Sequence, residues 1–300
     1  MDNKFLLLLA VAPILLALLI VLIDRRRTRK TMDTIEQMLG AASEGNYAES
    51  HFDESRLSAL ETKFSDYLSS CALSAQNVTV EKDKIKQMIS DISHQTKTPI
   101  ANILLYTQLL KEQPGNTDCL EALEGQTKKL QSLIDALVKT SRLETGVIQL
   151  DKKLGRLFDT VAQAMSGIVY AAEKKEIAVS VDCPEDLTVS HDSKWTSEAL
   201  FNLLDNAVKY TPAGGKIAVS VVLWEMYVEI KVADNGKGIS ESNQAAIFRR
   251  FYREEEVHSE PGVGIGLYLA REIITRQGGY IKVVSAPGNG SEFSIMLPAK

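Results

Sequence analysis

A column of residues with a strict period of seven constrains this chain more than any other feature. Its members are mostly apolar: Leu57, Phe64, Cys71, Val78, Ile85, Ile92, Pro99 and Tyr106. A sustained seven-residue repeat favours a left-handed, parallel, dimeric supercoil of long helices. The companion column is weaker, because it includes Glu61 and Lys82. The repeat predicts a long helix that begins near Arg56.

His94 lies inside this helical pattern but outside its apolar seam. It follows Ile92 by two residues, about 200° around a helix, so its imidazole points toward solvent. Asp91 and Thr98 are its neighbours on the same outer face. A lone exposed histidine is an ordinary surface residue. Here, however, a Thr98-Pro99 step inside the helix costs about 3 kcal/mol, which indicates a bend that shapes a site.

The N-terminal segment Phe5–Ile23 is apolar throughout and is interrupted only by Pro13. It is long enough to span a membrane, and the basic segment Arg25–Lys30 predicts that the chain continues in the cytoplasm. A cleaved signal peptide is the alternative, but its positive charge should precede the apolar run. We expect a retained, single-pass anchor in the cell membrane with residues 1–4 outside. Sensing would then occur in the membrane, in the cell or through a membrane partner.

Residues 24–80 are predicted to form a helical linker. Ile35, Met38 and Leu39 have helical spacing, and the polar segment Ser43–Ser55 is a connector. Helix, connector and helix after a membrane span resemble the transmitter module called HAMP. A plain helical linker is the alternative.

Residues 81–147 are predicted to form a helical hairpin. Gln113–Thr117 has turn chemistry, and a second helix follows from Asp118 to Glu144. Its apolar stripe is Leu120, Leu123, Thr127, Leu130, Ile134 and Leu137. One hairpin cannot cover the stripes of both helices, but two hairpins make a four-helix bundle. We therefore expect a homodimer.

Residues 148–300 change to an alternation of strands and helices, which predicts an α/β sandwich separable from the bundle. The predicted strands are residues 177–181, 216–223, 227–232, 280–284 and 292–297, and the predicted helices lie near 158–175, 193–208 and 266–276. The net charge of −5 argues against nucleic acid as a partner. Cys71, Cys119 and Cys183 lack metal-ligand spacing and are typical of reduced cytosolic thiols.

Polar motifs in this last region point to a nucleotide. Asn202, Asn206 and Lys209 share one helix face, where an amide oxygen suits Mg²⁺ and a lysine neutralises phosphate. The loop Asp234–Ile239 follows a strand, and its carboxylate can accept a hydrogen bond from an exocyclic amine. Gly262–Leu267 runs into a helix, whose first amides favour an anion. The late position of these glycines excludes a Rossmann fingerprint.

The segment from His94 to Ile100, His-Gln-Thr-Lys-Thr-Pro-Ile, resembles the phosphoacceptor box of sensor histidine kinases, usually His-Glu-x-Arg/Lys-Thr-Pro-Leu. Gln95 is the notable departure. The three nucleotide motifs resemble the N, G1 and G2 boxes of the ATPase superfamily that holds gyrase, the Hsp90 chaperones, histidine kinases and MutL. Ile247–Arg253 resembles the F box of its kinase branch.

The resemblance implies that ATP phosphorylates His94 and that the phosphoryl group passes to an aspartate of a separate response regulator, since this chain carries no receiver domain. It also implies phosphatase activity toward that regulator, with Thr98 orienting water. Asn206 would bind Mg²⁺, with Asn202 and Lys209 beside the phosphates. The implied ATP-binding residues are Asn202, Asn206, Lys209, Tyr210, Asp234, Gly236, Gly238, Phe248, Phe251, Gly262, Gly264, Gly266 and Leu267.

Two alternatives stay open at this point. The chain could instead be an ATP-gated conformational regulator that does not phosphorylate. Within the kinase interpretation, Gln95 can orient a proton but cannot take one. Asp91, one turn earlier, is either a partial substitute for the missing acid or a solvated surface residue. With Asp91 as the substitute, we expect slow kinase activity.

Overall fold

The computed structural model describes residues 3–43, 56–254 and 262–299. The helices are α1 (Asn3–Ser43), α2 (Arg56–Glu112), α3 (Thr117–Glu144), α4 (Leu157–Ser166), α5 (Val169–Lys174), α6 (Ser193–Tyr210), α7 (Glu241–Gln244) and α8 (Gly266–Arg276). The strands are β1 (Lys153–Arg156), β2 (Ala178–Asp182), β3 (Thr188–His191), β4 (Lys216–Leu223), β5 (Tyr227–Asp234), β6 (Tyr280–Ser285) and β7 (Ser291–Pro298). The chain divides into two compact units, residues 1–90 and 91–300.

The first unit contains α1 and the beginning of α2. The apolar run and the helix predicted after it form one continuous helix, which passes through Pro13. Among the residues whose side chains are described, no helix is both long and apolar enough to cross a membrane. The side chains of residues 5–12, the first part of the predicted span, lie outside that set, as does the connector predicted beyond Ser43.

Helix α2 begins at Arg56, as the sequence predicted, and continues through Pro99 to Glu112. In the turn that precedes Pro99, the hydroxyl of Thr96 donates to the Ile92 carbonyl at 2.8 Å. Pro99 is buried, whereas Val78 and Ile85 of the seven-residue column are exposed. The apolar seam of the helix is therefore only partly covered within a single chain.

Helix α3 begins after Asn116, whose side chain accepts a hydrogen bond from the Cys119 amide at 3.1 Å. The predicted stripe is divided between two environments. Leu130 and Leu137 are half-buried, whereas Leu120 and Ile134 are exposed. The fully buried residues are instead Leu133, Thr140 and Leu143. The second half of α3 thus packs into the core of the residues that follow it, which the hairpin prediction did not include.

The C-terminal end of α3 is held to the α/β region by polar contacts. The Glu144 carboxylate accepts hydrogen bonds from Arg250 and from the Tyr268 hydroxyl. The Arg250 guanidinium also donates to the Tyr268 oxygen at 2.9 Å and lies 4.6 Å above its ring. Burial and the bond to Glu144 raise the pKa of Tyr268 to about 12. Arg276 donates to the Glu144 carbonyl at 3.3 Å.

The α/β region contains a five-stranded sheet of order β2-β4-β5-β7-β6. Strands β2 and β4 are parallel, and the other neighbours are antiparallel. The inward residues of β4, β5 and β7 are in register, as in the row Val219, Val232 and Phe293. Alternation of buried and exposed residues along β4 leaves one face of the sheet to pack against helices.

Helices α4, α6 and α8 cover that face and complete the predicted α/β sandwich. The helix predicted near residues 158–175 is two helices, because the chain turns at Gly167 and Ile168. Strands β1 and β3 form a small separate antiparallel sheet that the sequence did not predict. Both strands have four residues, and β1 contains Gly155, so neither carries a strong strand pattern.

Candidate nucleotide site and phosphoacceptor helix

Helix α6 positions the first polar motif. Asp192 caps its first turn by accepting a hydrogen bond from the Trp195 amide at 3.0 Å. One face of the helix packs against the sheet through the buried side chains of Leu200, Leu203 and Leu204. Because residues four apart share a face, the half-buried Asn202 and Asn206 are carried together on the other side.

The amide of Asn202 contacts the start of α8. Its nitrogen donates to the Glu198 carbonyl at 2.8 Å, which leaves its oxygen facing Gly266. A methyl group at Gly266 would lie 2.7 Å from that oxygen, so the Asn202 amide would have to move if residue 266 carried a side chain. Asn202 and Gly266, more than sixty residues apart in the sequence, therefore bring the asparagine motif and the glycine-rich motif into direct contact. Lys209, about two turns after Asn202 along α6, pairs with Asp205.

Asp234 closes strand β5 and faces the same site. Its carboxylate accepts hydrogen bonds from the backbone amides of Gly236, at 2.8 Å, and Ser291, at 3.3 Å. Burial raises the pKa of Asp234, and these two amides oppose the rise without cancelling it. The group is thus a fixed acceptor that takes a proton more readily than an exposed aspartate does.

Lys237, between the two glycines of this loop, pairs with Glu254. Asn243 donates to the same carboxylate at 2.9 Å. Burial favours the protonated form of Glu254, but these hydrogen bonds outweigh it and lower its pKa. The Lys237 ammonium also lies 5.7 Å from the centre of the Tyr210 ring. Lys237 therefore links its own loop to Glu254 by an ion pair and to the end of α6 through the Tyr210 ring.

A cavity of about 940 Å³ lies among these groups. The predicted residues that line it are Asn202, Asn206, Lys209, Tyr210, Asp234, Gly238, Gly262, Gly264, Gly266 and Leu267. Gly236, Phe248 and Phe251 are not part of its lining. Phe248 is buried, and its ring stands 6.4 Å from that of Phe293 in an edge-to-face arrangement. The structure therefore places Phe248 in the core beside the cavity rather than in its wall.

Several residues that line the cavity were not predicted from the sequence. Lys237 had a local signal, since it is a cation inside a glycine-rich loop. The residues of α3 between Gly125 and Lys139 had none, because they reach the cavity only through the packing of that helix. Lys139 pairs there with Glu198 of α6 at 2.6 Å. Among the described residues that line the cavity, none belongs to α2.

On α2 the imidazole of His94 is exposed, as the helical geometry predicted, and so is Thr98. Asp91 and Gln95 are half-buried on either side of it. His94 and its neighbours on α2 therefore lie in one compact unit with the three polar motifs, but not among the described residues that line the cavity. Accessible imidazole is what transfer of a phosphoryl group to histidine requires.

The chemistry of the cavity fits a nucleotide with Mg²⁺. Within the described ranges, no group of three or more His, Cys, Asp or Glu side chains is arranged to hold a metal. Mg²⁺ does not need such a cage, because it keeps several waters and takes further ligands from phosphates. The Asn206 side chain supplies an oxygen donor in the cavity wall, and lysines line the same space.

Two family models match the chain. The model for the "His Kinase A (phospho-acceptor) domain" matches residues 84–146. The model for the "Histidine kinase-, DNA gyrase B-, and HSP90-like ATPase" matches residues 191–300. The first match contains His94, and the second contains all the residues of the three nucleotide motifs.

Relatives of this chain include sensor histidine kinases. The sensor-like histidine kinase SenX3 of Mycobacterium tuberculosis is 31% identical over 221 residues, which are 71% of this chain and 54% of that protein. The sensor histidine kinase RppB of Synechocystis is 32% identical over 225 residues, 71% of this chain and 49% of that protein. The chain thus spans about half the length of the curated relatives that it matches.

Solved structures share the fold. The histidine kinase AdeS of Acinetobacter baumannii superposes with a TM-score of 0.58 at 22% identity, covering 69% of this chain and 98% of that chain. The histidine kinase ThkA, solved in complex with the response regulator protein TrrA, gives a TM-score of 0.61 at 22% identity and covers 73% and 64%.

Proposed function

This chain belongs to the sensor histidine kinases of two-component systems, and from that membership we propose that it phosphorylates itself on His94 with ATP. The phosphoryl group then passes to an aspartate of a separate response regulator. The observation that carries the proposal is an exposed His94, followed by Lys97, Thr98 and Pro99, in one unit with a cavity lined by all three nucleotide motifs.

The nucleotide is assigned to that cavity. Asn206 would bind Mg²⁺, and Asn202 and Lys209 would flank the phosphates. Asp234, a buried acceptor, would receive the amine of adenine beside Tyr210. Mg²⁺ would neutralise phosphate charge. Glycine 236, 238, 262, 264 and 266 would shape the loops around the nucleotide, with Leu267 at the cavity wall and Phe248 and Phe251 supporting it from the core.

The active protein is proposed to be a homodimer. Leu104, Leu105 and Ile134 are among the large apolar side chains that the hairpin of α2 and α3 leaves exposed. A second copy would cover them in a four-helix bundle. The exposed His94 and Thr98 on the outer face would then remain accessible to the receiver domain of the regulator, with Thr98 orienting water for dephosphorylation.

Phe5–Ile23 is proposed as a membrane anchor that leaves the kinase in the cytoplasm. The large apolar side chains described from Ile14 to Ile23 are between 48% and 67% exposed. Hydrocarbon would cover them, and Arg25–Lys30 would lie at the cytoplasmic surface.

Radiolabelling separates this proposal from an ATP-gated regulator that does not phosphorylate. Purified chain with γ-labelled ATP and Mg²⁺ should retain label in an acid-labile, base-stable adduct. His94→Gln should lose the label and bind ATP within a few-fold of the parent, because no residue among the described lining of the cavity comes from α2. ATP binding by a parent chain that takes up no label would favour the regulator.

A further inference from the structure

The C-terminal end of α6 carries Lys209 and Tyr210 and leaves four backbone carbonyls without partners inside the helix. The Ala207 carbonyl accepts from the Thr211 amide at 3.0 Å, and the Tyr210 carbonyl accepts from the Lys237 amide at 3.4 Å. The helix cannot continue, because Pro212 forces an extended conformation on Thr211. The two remaining carbonyls need a donor from elsewhere.

That donor is Lys175, which no nucleotide motif includes. Its ammonium donates to the carbonyls of Val208 at 2.9 Å and Lys209 at 2.8 Å, and to the carbonyl of Thr211 at 3.3 Å. An ammonium carries three donors and no acceptor, so all of its hydrogen-bonding capacity is directed at this turn. A cation is also favoured at the negative end of a helix.

The backbone holds Lys175 in place at the end of α5. The Ile177 amide donates to the Ala172 carbonyl and the Glu176 amide to the Glu173 carbonyl, each at 2.9 Å. These two bonds form a Schellman motif, which requires a left-handed residue, and Glu176 has φ of 56°. The Lys175 carbonyl accepts from the Gly214 amide at 2.9 Å. Both its side chain and its backbone therefore hold the segment after α6.

The end of α6 in turn contacts the loop that follows β5. A methyl group at Gly236 would stand 2.5 Å from the Tyr210 carbonyl oxygen, so the two segments are in close contact. Lys237, the next residue, bonds to the same carbonyl and lies near the Tyr210 ring. The placement of residues 208–211 therefore sets the spacing between the asparagine motif and the Asp234 loop.

We propose that Lys175 is a positioning residue of the nucleotide site, acting through the end of α6. It holds Lys209 and Tyr210 at the distance from Asp234 that a nucleotide needs. This inference rests on the proposed function, because it takes the cavity to be the ATP site. The Lys175 ammonium bonds to carbonyls at the end of the helix, so it does not have to touch the nucleotide.

The test compares Lys175→Met with Lys174→Met, the exposed neighbour on the same short helix, in the full-length chain. For each variant we measure the affinity for a fluorescent ATP analogue with Mg²⁺. The KM and kcat of self-labelling and the Tm without nucleotide are measured as well. We expect Lys175→Met to weaken nucleotide binding and raise KM by about tenfold, with kcat at saturating ATP within about twofold. Lys174→Met should match the parent. Lys175→Arg, which keeps a cationic donor, should recover part of the affinity.

Each outcome separates positioning from bulk stability. A lower Tm for Lys175→Met with unchanged nucleotide affinity overturns the inference, and so does a fall in kcat at unchanged KM. If Lys175→Met does not fold, Lys175→Gln and Lys175→Arg are compared, and equal nucleotide affinity in both overturns it. A parent chain that binds no ATP contradicts the proposed function itself. If the parent binds ATP but no more tightly than Lys175→Met does, only the role of Lys175 is contradicted.

Discussion

Residue 95 is where this chain departs from the phosphoacceptor pattern of its family. Gln95 and Asp91 are both half-buried on α2, and His94 between them is exposed. An amide can orient the imidazole proton but cannot take it. General-base assistance is typically worth about 10²–10⁴ in rate. Asp91 carries the carboxylate one turn before His94 and is the candidate to supply part of that assistance.

We therefore expect Gln95→Glu to label at least about tenfold faster than the parent and Asp91→Asn to label more slowly. Initial labelling rates at saturating ATP measure both changes. Gln108→Glu is the control, because it makes the same substitution at an exposed position of α2. No acceleration in Gln95→Glu together with no loss in Asp91→Asn would mean that neither carboxylate limits the chemistry.

Asp234 should make nucleotide binding sensitive to acid. Because burial raises its pKa, the carboxylate is protonated at a higher pH than an exposed aspartate, which would weaken the acceptor that we propose for the adenine amine. We expect ATP affinity to fall as the pH drops through this raised pKa. A fluorescent ATP analogue titrated between about pH 4 and pH 7 measures the fall. Asp234→Asn should bind more weakly and show no such step.

The pH dependence that Asp234 gives to the stability of the nucleotide-free protein has the opposite sign. A folded-state pKa above the unfolded value means that the folded chain holds more protons in the interval between them. The contribution of Asp234 to stability is therefore full below the unfolded pKa and is lost as the pH rises through the folded one. Parallel loss of nucleotide affinity and of this stability contribution on acidification would contradict the assignment.

Local patterns grouped predicted ATP-binding residues that line the cavity, but they did not reveal the partners of those residues. Asn202 and Asn206 share one helix face, and the Asp234 loop follows one strand, so short-range geometry was sufficient to group them. The pair Lys237 and Glu254 joins two separate loops, and Lys139 reaches Glu198 from another helix. Such pairs depend on tertiary packing, which spacing in the sequence does not encode.

At the scale of the elements, the end of α3 is tied to the α/β region through Glu144. Tyr268 of α8 is half-buried, donates to the Glu144 carboxylate and accepts from Arg250. Removal of one hydrogen bond to a charged partner typically costs about 1.5–3 kcal/mol when no water replaces it. The guanidinium of Arg250 remains paired with Glu144 in the absence of the hydroxyl, so part of the contact survives.

Tyr268→Phe should lower the free energy of unfolding by about 1–2 kcal/mol. It should also speed proteolytic cleavage of the linker at residues 145–152, since that linker follows the contact. Urea denaturation and limited proteolysis of the full-length chain measure the two effects. Tyr170→Phe is the matched control, because its side chain is 79% exposed and the change should stay within about 0.5 kcal/mol. Equal effects in both variants would mean that the Tyr268 hydroxyl contributes nothing to the contact.

The strands were predictable where burial made their pattern strong. The prediction for residues 216–223 matches β4, and the predicted helix 266–276 matches α8. Strands β1 and β3 were not predicted, because the four-residue strands of this separate two-stranded sheet carry little pattern. The division of the α3 stripe also escaped, since Leu133 and Leu143 are buried by the α/β core rather than by another helix of the bundle.

For the whole molecule, the uncovered apolar surface of the hairpin is the feature that remains to be accounted for. Its large exposed side chains include Ile100, Leu104, Leu105, Leu109, Leu120, Ile134 and Val138. A large set of exposed apolar side chains of this kind is characteristic of an interaction site. The seven-residue column of α2 is a separate feature of the sequence, and such a repeat is typical of a parallel pair of helices.

Leu104→Glu should therefore convert the protein from dimer to monomer, because burying an unpaired carboxylate from each chain costs several kcal/mol. Leu223→Glu is the matched control: Leu104 is 62% exposed and Leu223, at the end of β4, is 58% exposed, so both variants replace a leucine of similar exposure. Sedimentation equilibrium of the full-length chain in detergent measures the association constant of each. Nucleotide affinity should be unchanged in Leu104→Glu, since no residue of α2 is among the described lining of the cavity. Equal dimerisation of both variants would place the dimer interface elsewhere, and dissociation of both would point to a general effect of added charge.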